Sequence, residues 1–292
     1  MLAFTAAIAV GAHAIETDLH LSRDGVVVLS HDATLTRCFG RDARIADLDW
    51  AELRTLETLR FPKTHMPRLI DLLSLLTKPG HEHVWLLLDV KRDDAAEELL
   101  SRVAAAIASV PTTTGTSGER PWSWSERIVL GCWNESYISL ARKVLPGFAV
   151  AYIGLSWLYA RRFFGVPGVH FNLLQKSLVG PAGGRFMRAA RREGRAVFVW
   201  TVNEEEWMEW GVRKGVDGVI TDDPKLFLEV CERFRNPSQA GAGRVANTTT
   251  IKRVRLYVEA AVVQVLSIVL SLLLRFPKNK LGEGRRTGAG KG

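Results

Sequence analysis

The sequence predicts an α/β fold, because short runs rich in β-branched and aromatic residues alternate with helical stretches along most of the chain. Alternation of this kind is typical of parallel strands joined by helical crossovers. The 292 residues, 47% of them hydrophobic, are enough for one α/β barrel with a large core. The strand-like runs are 14–21, 26–31, 84–90, 127–133, 148–154, 168–172, 196–202 and 218–222. Helical patterns lie near 66–77, 93–110, 134–145, 181–193, 203–214 and 223–234.

The number of strands predicts a TIM-type (β/α)8 barrel that is missing its first strand. Asp24-Gly25 marks a tight hairpin turn, so the run 26–31 is predicted to be an antiparallel addition to the first strand. Seven runs then remain as parallel strands, whereas eight close a barrel of this type. Residues 2–12 are predicted to form a helix ending at Gly11 rather than a signal peptide, because no Lys or Arg precedes Arg23.

Three regions are predicted: a barrel over 1–234, a linker over 235–250 and a basic-flanked hydrophobic tail over 251–292. The tail carries nine basic and two acidic side chains, so most of the net charge of +8 belongs to it. The nearly neutral remainder argues against nucleic acid as a partner. Three cysteines without C-x-x-C spacing argue against a disulfide scaffold or a zinc knuckle.

Two pairs of charged residues, one within a predicted strand and one at the end of another, are candidates for a metal site. Glu16 and Asp18 lie two apart in a strand, so their side chains share one face, and their mutual repulsion favours a hard divalent ion with oxygen ligands. Asp89 and Lys91 repeat the spacing after a long apolar run, which suggests a third ligand and a phosphate-binding cation. The alternatives are a solvated strand face for the first pair and a simple ion pair for the second.

Two further residues are candidates for catalysis and substrate binding. His31 follows the second run and could transfer a proton near neutral pH; the alternative is an ordinary polar loop residue. Trp200 ends a predicted barrel strand and could form the wall of a glycerol-sized pocket; the alternative is core packing.

Taken in order, these segments resemble the glycerophosphodiester phosphodiesterase family over about residues 1–230, and look most similar to its fungal phosphatidylglycerol phospholipase C branch. The matching segments are GAHAIETDLHLSRDGVVVLSHDATLTR, MPRLIDLL, LLLDVK, FVWTVNE and GVDGVITDDP. The resemblance implies a TIM barrel that binds one divalent cation, Mg or Ca, and hydrolyses a glycerol-linked phosphodiester.

The resemblance also implies roles for individual residues. The family's metal ligands fall on Glu16, Asp18 and Asp89, the last of which is usually Glu in the family. One of the family's two catalytic histidines falls on His31, and Lys91 matches its basic position. The family's first strand, with its His-Arg pair, aligns upstream of Met1, so this chain is expected to lack one acid/base group, a loss that costs about 10² to 10⁴-fold in rate.

The tail predicts an attachment to membranes. Residues 256–274 form an apolar stretch about 28 Å long as a helix, barely enough to span a bilayer. The polar positions fall on one side of that helix, which favours a helix lying in the interface. They are Lys252, Arg255, Glu259, Gln264, Ser267, Ser271 and Arg275. We therefore expect a membrane-associated protein, bound through residues 251–280, with its catalytic body facing the cytosol; a spanning anchor and a helix packed on the barrel are the alternatives.

Two hypotheses for function follow. The first is a phosphoric diester hydrolase acting on a phospholipid, of phosphatidylglycerol type, or on a glycerophosphodiester. The second is a catalytically impaired, membrane-associated remnant of the same fold that binds lipid headgroups or a protein.

Overall fold

The computed structural model describes residues 1–112, 122–236, 257–266 and 269. Its strands form one curled sheet in the order β2-β1-β3-β4-β5-β6-β7-β8. They are β1 (Ala14–Leu21), β2 (Val27–Leu29), β3 (Trp85–Val90), β4 (Ile128–Cys132), β5 (Ala149–Gly154), β6 (Val169–Leu174), β7 (Val197–Trp200) and β8 (Gly218–Val219). All neighbours are parallel except β1 and β2. The predicted seven parallel strands and one antiparallel addition are confirmed.

Helices follow the strands as the alternating pattern predicted. They are α1 (Leu2–Ala9), α2 (Thr36–Phe39), α3 (Trp50–Leu53), α4 (Leu69–Leu76), α5 (Ala96–Ser109), α6 (Trp124–Arg127), α7 (Glu135–Val144), α8 (Trp157–Ala160), α9 (Pro181–Arg192), α10 (Glu205–Lys214) and α11 (Pro224–Arg235). Short 3-10 helices span Ile45–Asp47, Arg161–Gly165 and Gln175–Leu178. The side chain of Asp223 accepts a hydrogen bond from Leu226 N and Pro224 follows it, so the N-terminus of α11 is capped.

The two outermost parallel strands, β1 and β8, do not pair with each other in the part of the chain that the structure describes. Within the described residues β8 pairs only with β7, and the outer edge of β1 pairs with β2 over Leu19–Leu21. The hairpin between β1 and β2 turns at Gly25, whose φ of 79° is a left-handed conformation that glycine adopts without strain. The prediction that a family strand is missing before Met1 stays a prediction.

The two faces of the sheet have different surroundings. Along β3, Leu86 and Leu88 belong to the main core shared with the helices, whereas Leu87 points to the other, inner face. There it lies in a small cluster with Ile153 and Phe198. The inner face therefore carries a small apolar cluster together with the side chains at the ends of the strands.

The described part of the tail packs on the barrel. Residues 257–266 are helical; Ala260 is 1% exposed, and Lys176 Nζ lies 3.2 Å from Glu259 Oε2. Gln264 Nε2 donates hydrogen bonds to the carbonyl oxygens of Lys176, at 3.1 Å, and Val179, at 2.6 Å. Glu259 and Gln264, two of the polar residues that were expected to lie on the polar side of an interfacial helix, therefore have their polar partners on the barrel.

The structure also corrects the predicted localisation. Among the residues that the structure describes, no helix has both the length and the apolar character needed to cross a bilayer. The prediction of a membrane-associated protein with its body facing the cytosol is therefore wrong, and the expected membrane contact through 251–280 gains no support. The physical reason is that the polar side of the helix contacts Lys176 and Val179 rather than lipid headgroups. The rest of the tail and the linker from 237 onward lie outside the described residues.

Candidate functional site

The carboxyl ends of the parallel strands, called the mouth here, bring the predicted metal ligands together. In the pairing of β1 with β3, Glu16 lies opposite Leu87 and Asp18 opposite Asp89. Because paired residues of parallel strands point to the same side, these three carboxylates share the inner face with Leu87. We call Glu16, Asp18 and Asp89 the acidic cluster; one oxygen from each lies within 4.8 Å of the others.

Lys91 sits among these carboxylates. Its Nζ lies 2.6 Å from Asp18 Oδ1 and 3.0 Å from Asp89 Oδ2. The three side chains are at most 15% exposed, so the ion pairs are poorly screened by water. The structure therefore brings Lys91 to the same point of the mouth as the acidic cluster.

The electrostatics of the cluster show an excess of negative charge. Burial, together with the charges of Asp18 and Asp89, raises the pKa of Glu16 to about 8. Burial also raises the pKa of Asp89. Burial alone would lower the pKa of Lys91, but the charges of Asp89 and Asp18 outweigh it and the net pKa is raised. One ammonium thus cannot balance three carboxylates.

This donor set fits a hard divalent cation. Mg²⁺ and Ca²⁺ prefer carboxylate oxygens, and a second positive charge would offset the repulsion that raises the pKa of Glu16. Two of the three ligands come from one strand and the third from its neighbour, so the backbone pairing itself fixes their spacing. The residues present are therefore suited to the cation that the sequence predicted.

An indole that sequence reasoning missed orients the third predicted ligand, Asp89. Trp133 follows β4 directly, and its Nε1 donates a hydrogen bond to Asp89 Oδ1 at 2.8 Å. The Trp133 ring also meets Trp200 edge-on, with centroids 5.9 Å apart, and Lys91 Nζ lies 5.8 Å from its centroid. A tryptophan at the last position of the predicted strand 127–133 was the only signal available in the sequence.

Trp200 ends β7 and lies at the mouth, as predicted, but its polar atom is used internally. Its Nε1 donates to the carbonyl oxygen of Asn172 at 3.1 Å, and the half-buried ring packs beside Trp133. Trp133 and Trp200 together form an aromatic wall next to Lys91 and Asp89.

His31 lies outside the acidic cluster but close to it along the backbone. The amide of Ser30 donates to the carbonyl oxygen of Asp18 at 3.1 Å, so the loop that carries His31 leaves β2 beside a predicted ligand. The His31 side chain is 71% exposed, and its Nδ1 lies 2.9 Å from Asp32 Oδ1. A hydrogen bond from Arg37 lowers the pKa of Asp32 to about 2. An ionised Asp32 accepts a hydrogen bond from Nδ1–H, which leaves Nε2 as the nitrogen without a proton.

A second feature that sequence reasoning missed is the contact between Asn203 and Asp222, in the segments after β7 and β8. Asn203 Nδ2 donates to Asp222 Oδ2 at 2.6 Å, and Asp222 N donates back to Asn203 Oδ1 at 2.9 Å. The charge of Asp222 contributes to the raised pKa of Glu16, which puts it within electrostatic reach of the cluster. Hydrogen bonds thus join the segments after β7 and β8 at the mouth.

The chain matches a known family over most of its length. The model of the Glycerophosphoryl diester phosphodiesterase family matches residues 1–226. Lysophospholipase D GDPD1 of Mus musculus is 42% identical over 270 residues, covering 80% of this chain and 82% of that protein.

Solved structures share the fold. A putative glycerophosphoryl diester phosphodiesterase from Silicibacter pomeroyi superposes with a TM-score of 0.68 at 23% identity, over 80% of this chain and 87% of that one. An Oleispira antarctica phosphodiesterase, solved in complex with the product sn-glycerol-3-phosphate, gives a TM-score of 0.64 at 18% identity, over 77% of this chain and 87% of that one.

Proposed function

Because this chain belongs to the glycerophosphoryl diester phosphodiesterase family, a family of phosphoric diester hydrolases, we propose that it hydrolyses a glycerol-linked phosphodiester with one divalent cation at the acidic cluster. The observation that carries the proposal is the convergence of Glu16, Asp18, Asp89 and Lys91 at the mouth of the barrel. Three carboxylates and one ammonium in a poorly hydrated site match the needs of a cation and a phosphate together.

Glu16, Asp18 and Asp89 would hold the cation, either Mg or Ca. When bound, such a cation polarises the phosphoryl oxygens as a Lewis acid. Within the chain, the hydrogen bond from Trp133 commits Asp89 Oδ1, so the orientation of this carboxylate is set before any ligand arrives.

Lys91 would bind the phosphate of the substrate. Its ammonium has a raised pKa and therefore stays protonated at neutral pH. It is anchored by Asp18 and Asp89, which keeps the charge at the mouth rather than in bulk solvent. A fixed positive charge beside the cluster would neutralise a phosphate oxygen, and the aromatic wall of Trp133 and Trp200 would face the glycerol or alcohol part.

His31 would transfer a proton to the leaving oxygen or from the attacking one. Asp32 accepts a hydrogen bond from Nδ1–H and orients the ring, so Nε2 is left free to exchange a proton with the substrate. The role of Asp32 is itself secured by Arg37, which donates to its second oxygen at 2.6 Å.

Two similar proteins bear on the class of substrate. The Oleispira antarctica enzyme holds sn-glycerol-3-phosphate, which supports a glycerophosphodiester. The mouse relative is a lysophospholipase D, which supports a glycerophosphodiester that also carries an acyl chain. The resemblance to the fungal phosphatidylglycerol phospholipase C branch stays a prediction and adds phosphatidylglycerol as a third substrate to test.

The test is hydrolysis of glycerophosphocholine, lysophosphatidylcholine and phosphatidylglycerol by the purified full chain, with and without added Mg²⁺ or Ca²⁺. We expect metal-dependent release of the alcohol from at least one of the first two. A chain that binds the cation but hydrolyses none of the three would overturn the proposal and favour the non-catalytic remnant instead. Lys91→Met is the matched variant, and it should lose hydrolysis without losing the fold.

A further inference from the structure

We infer that His20 and Asp94, a buried pair outside the acidic cluster, are positioning residues that hold Lys91 in place at the mouth. The inference rests on the proposed function of Lys91. His20 lies on β1 two residues after Asp18, and Asp94 lies in the loop between β3 and α5, three residues after Lys91. The pair thus joins the two segments that carry the site.

The backbone pairing between β1 and β3 stops just before this point. Its last pair is Leu19 with Val90, so Lys91, the first residue after β3, lies just beyond the ladder. From there the loop is tied to β1 by Asp94, whose Oδ2 lies 2.8 Å from His20 Nδ1 and whose Oδ1 accepts from Leu21 N at 3.3 Å. Side-chain hydrogen bonds therefore continue the attachment that backbone hydrogen bonds provide below.

The hydrogen bond between His20 and Asp94 is strong because both side chains are buried away from water. The His20 side chain is 2% exposed and that of Asp94 is 6% exposed. A carboxylate accepts hydrogen bonds but cannot donate them, so His20 Nδ1 carries the hydrogen and donates the hydrogen bond to Asp94. Charge-assisted hydrogen bonds of this kind are about twice as strong as neutral ones, and water does not compete for them here. The carbonyl of Asp94 also accepts from Tyr137 Oη at 3.4 Å, which anchors the loop to α7.

The two ring nitrogens of His20 have separate surroundings. His20 Nε2 is buried and has no hydrogen-bond partner among the described residues, so the contact to Asp94 is the polar interaction by which this side chain holds the loop. An asparagine places its Nδ2 where histidine has Nδ1 and has no counterpart of Nε2. Replacing His20 by asparagine therefore keeps the contact that matters and discards the other nitrogen.

The experiment compares His20→Asn, which keeps a donor to Asp94, with His20→Leu, which removes it. We expect His20→Leu to lower kcat/KM on the phosphodiester about tenfold, mainly through KM, because small misplacement of a binding group is costly. His20→Asn should stay within about twofold of the parent. Asp94→Asn keeps the shape but weakens both hydrogen bonds, so it should fall between the two and serves if His20→Leu fails to fold.

A second readout needs no activity. The Leu21 amide donates to Asp94, so its hydrogen exchange should quicken in His20→Leu and Asp94→Asn but not in His20→Asn. Equal exchange and equal KM across the three variants would overturn the inference, as would a change in melting temperature with no change in KM. If the parent hydrolyses no diester, the proposed function fails, whereas the exchange data still decide whether the pair fixes the loop.

Discussion

Trp133 Nε1 donates a hydrogen bond of 2.8 Å to Asp89 Oδ1 and thereby fixes the carboxylate of the penultimate residue of β3. The other oxygen of Asp89 meets Lys91 at 3.0 Å. Both oxygens therefore have defined partners, and the orientation of this carboxylate depends on an indole that directly follows the neighbouring strand β4. Groups that orient a metal ligand typically contribute about 10 to 100-fold to metal affinity.

We expect Trp133→Phe to weaken binding of Mg²⁺ or Ca²⁺ by about tenfold, because phenylalanine keeps a ring at this position but cannot donate to Asp89. Calorimetric titration measures the affinity directly. The control is Trp200→Phe, since Trp200 donates to the Asn172 carbonyl rather than to the cluster. Equal affinities for the two variants would show that the indole does not orient the ligand.

The double variant Glu16→Gln with Asp18→Asn should lose divalent-cation binding while keeping the fold. The two substitutions preserve size and remove two of the three carboxyl groups of the cluster, whose mutual repulsion contributes to the raised pKa of Glu16. The melting temperature without added cation should therefore stay level or rise. Undiminished binding in calorimetric titration would refute the assignment of the cluster as a metal site.

For His31 the expected effect is on rate alone. His31→Gln should lower kcat by about 10² to 10⁴-fold, the usual contribution of general acid–base catalysis, and leave cation affinity unchanged. Asp32→Asn should have a smaller effect in the same direction, because it disturbs only the orientation of the ring. A kcat for His31→Gln close to that of the parent would remove His31 from the mechanism.

His170 should make the stability fall on acidification. Burial, aided by the charge of Arg195, lowers the pKa of His170 below its ordinary 6.5, and its Nδ1 accepts from Ala196 N at 3.0 Å. The unfolded chain therefore takes up the proton first, so this contribution is complete above pH 6.5 and is lost as the pH falls towards the folded pKa.

His170→Asn is the variant that tests this, because its amide oxygen can still accept from Ala196 but does not titrate. Denaturant unfolding from about pH 8 to about pH 5 gives the difference in free energy of unfolding between parent and variant. That difference should be constant at the alkaline end and shift against the parent below pH 6.5. A difference that does not depend on pH would contradict the account.

Much of the site could be predicted because it follows strand geometry. Glu16, Asp18 and Asp89 lie on strands at alternate positions, and parallel strands present their carboxyl ends at one edge. The contacts that support them could not be predicted in this way. Trp133 reaches Asp89 across 44 residues and His20 reaches Asp94 across 74, and nothing in the local pattern connects those positions.

The tail shows why a pattern alone can mislead. Glu259 and Gln264 share one side of a helix, which is what an interfacial helix requires. The same spacing equally suits a helix whose polar side meets Lys176 and Val179 on the barrel, and the structure has that arrangement. Only the position of the partner distinguishes the two, and that position depends on how the whole chain folds.

The most direct test of the central claim, a phosphodiesterase that depends on a cation at the acidic cluster, is hydrolysis of glycerophosphocholine through a cycle of chelation and metal return. The parent chain should lose activity with EDTA and regain it when Mg²⁺ or Ca²⁺ is restored, whereas Glu16→Gln with Asp18→Asn should stay inactive throughout. Activity in the parent that survives chelation, or activity in the double variant equal to that of the parent, would contradict the account.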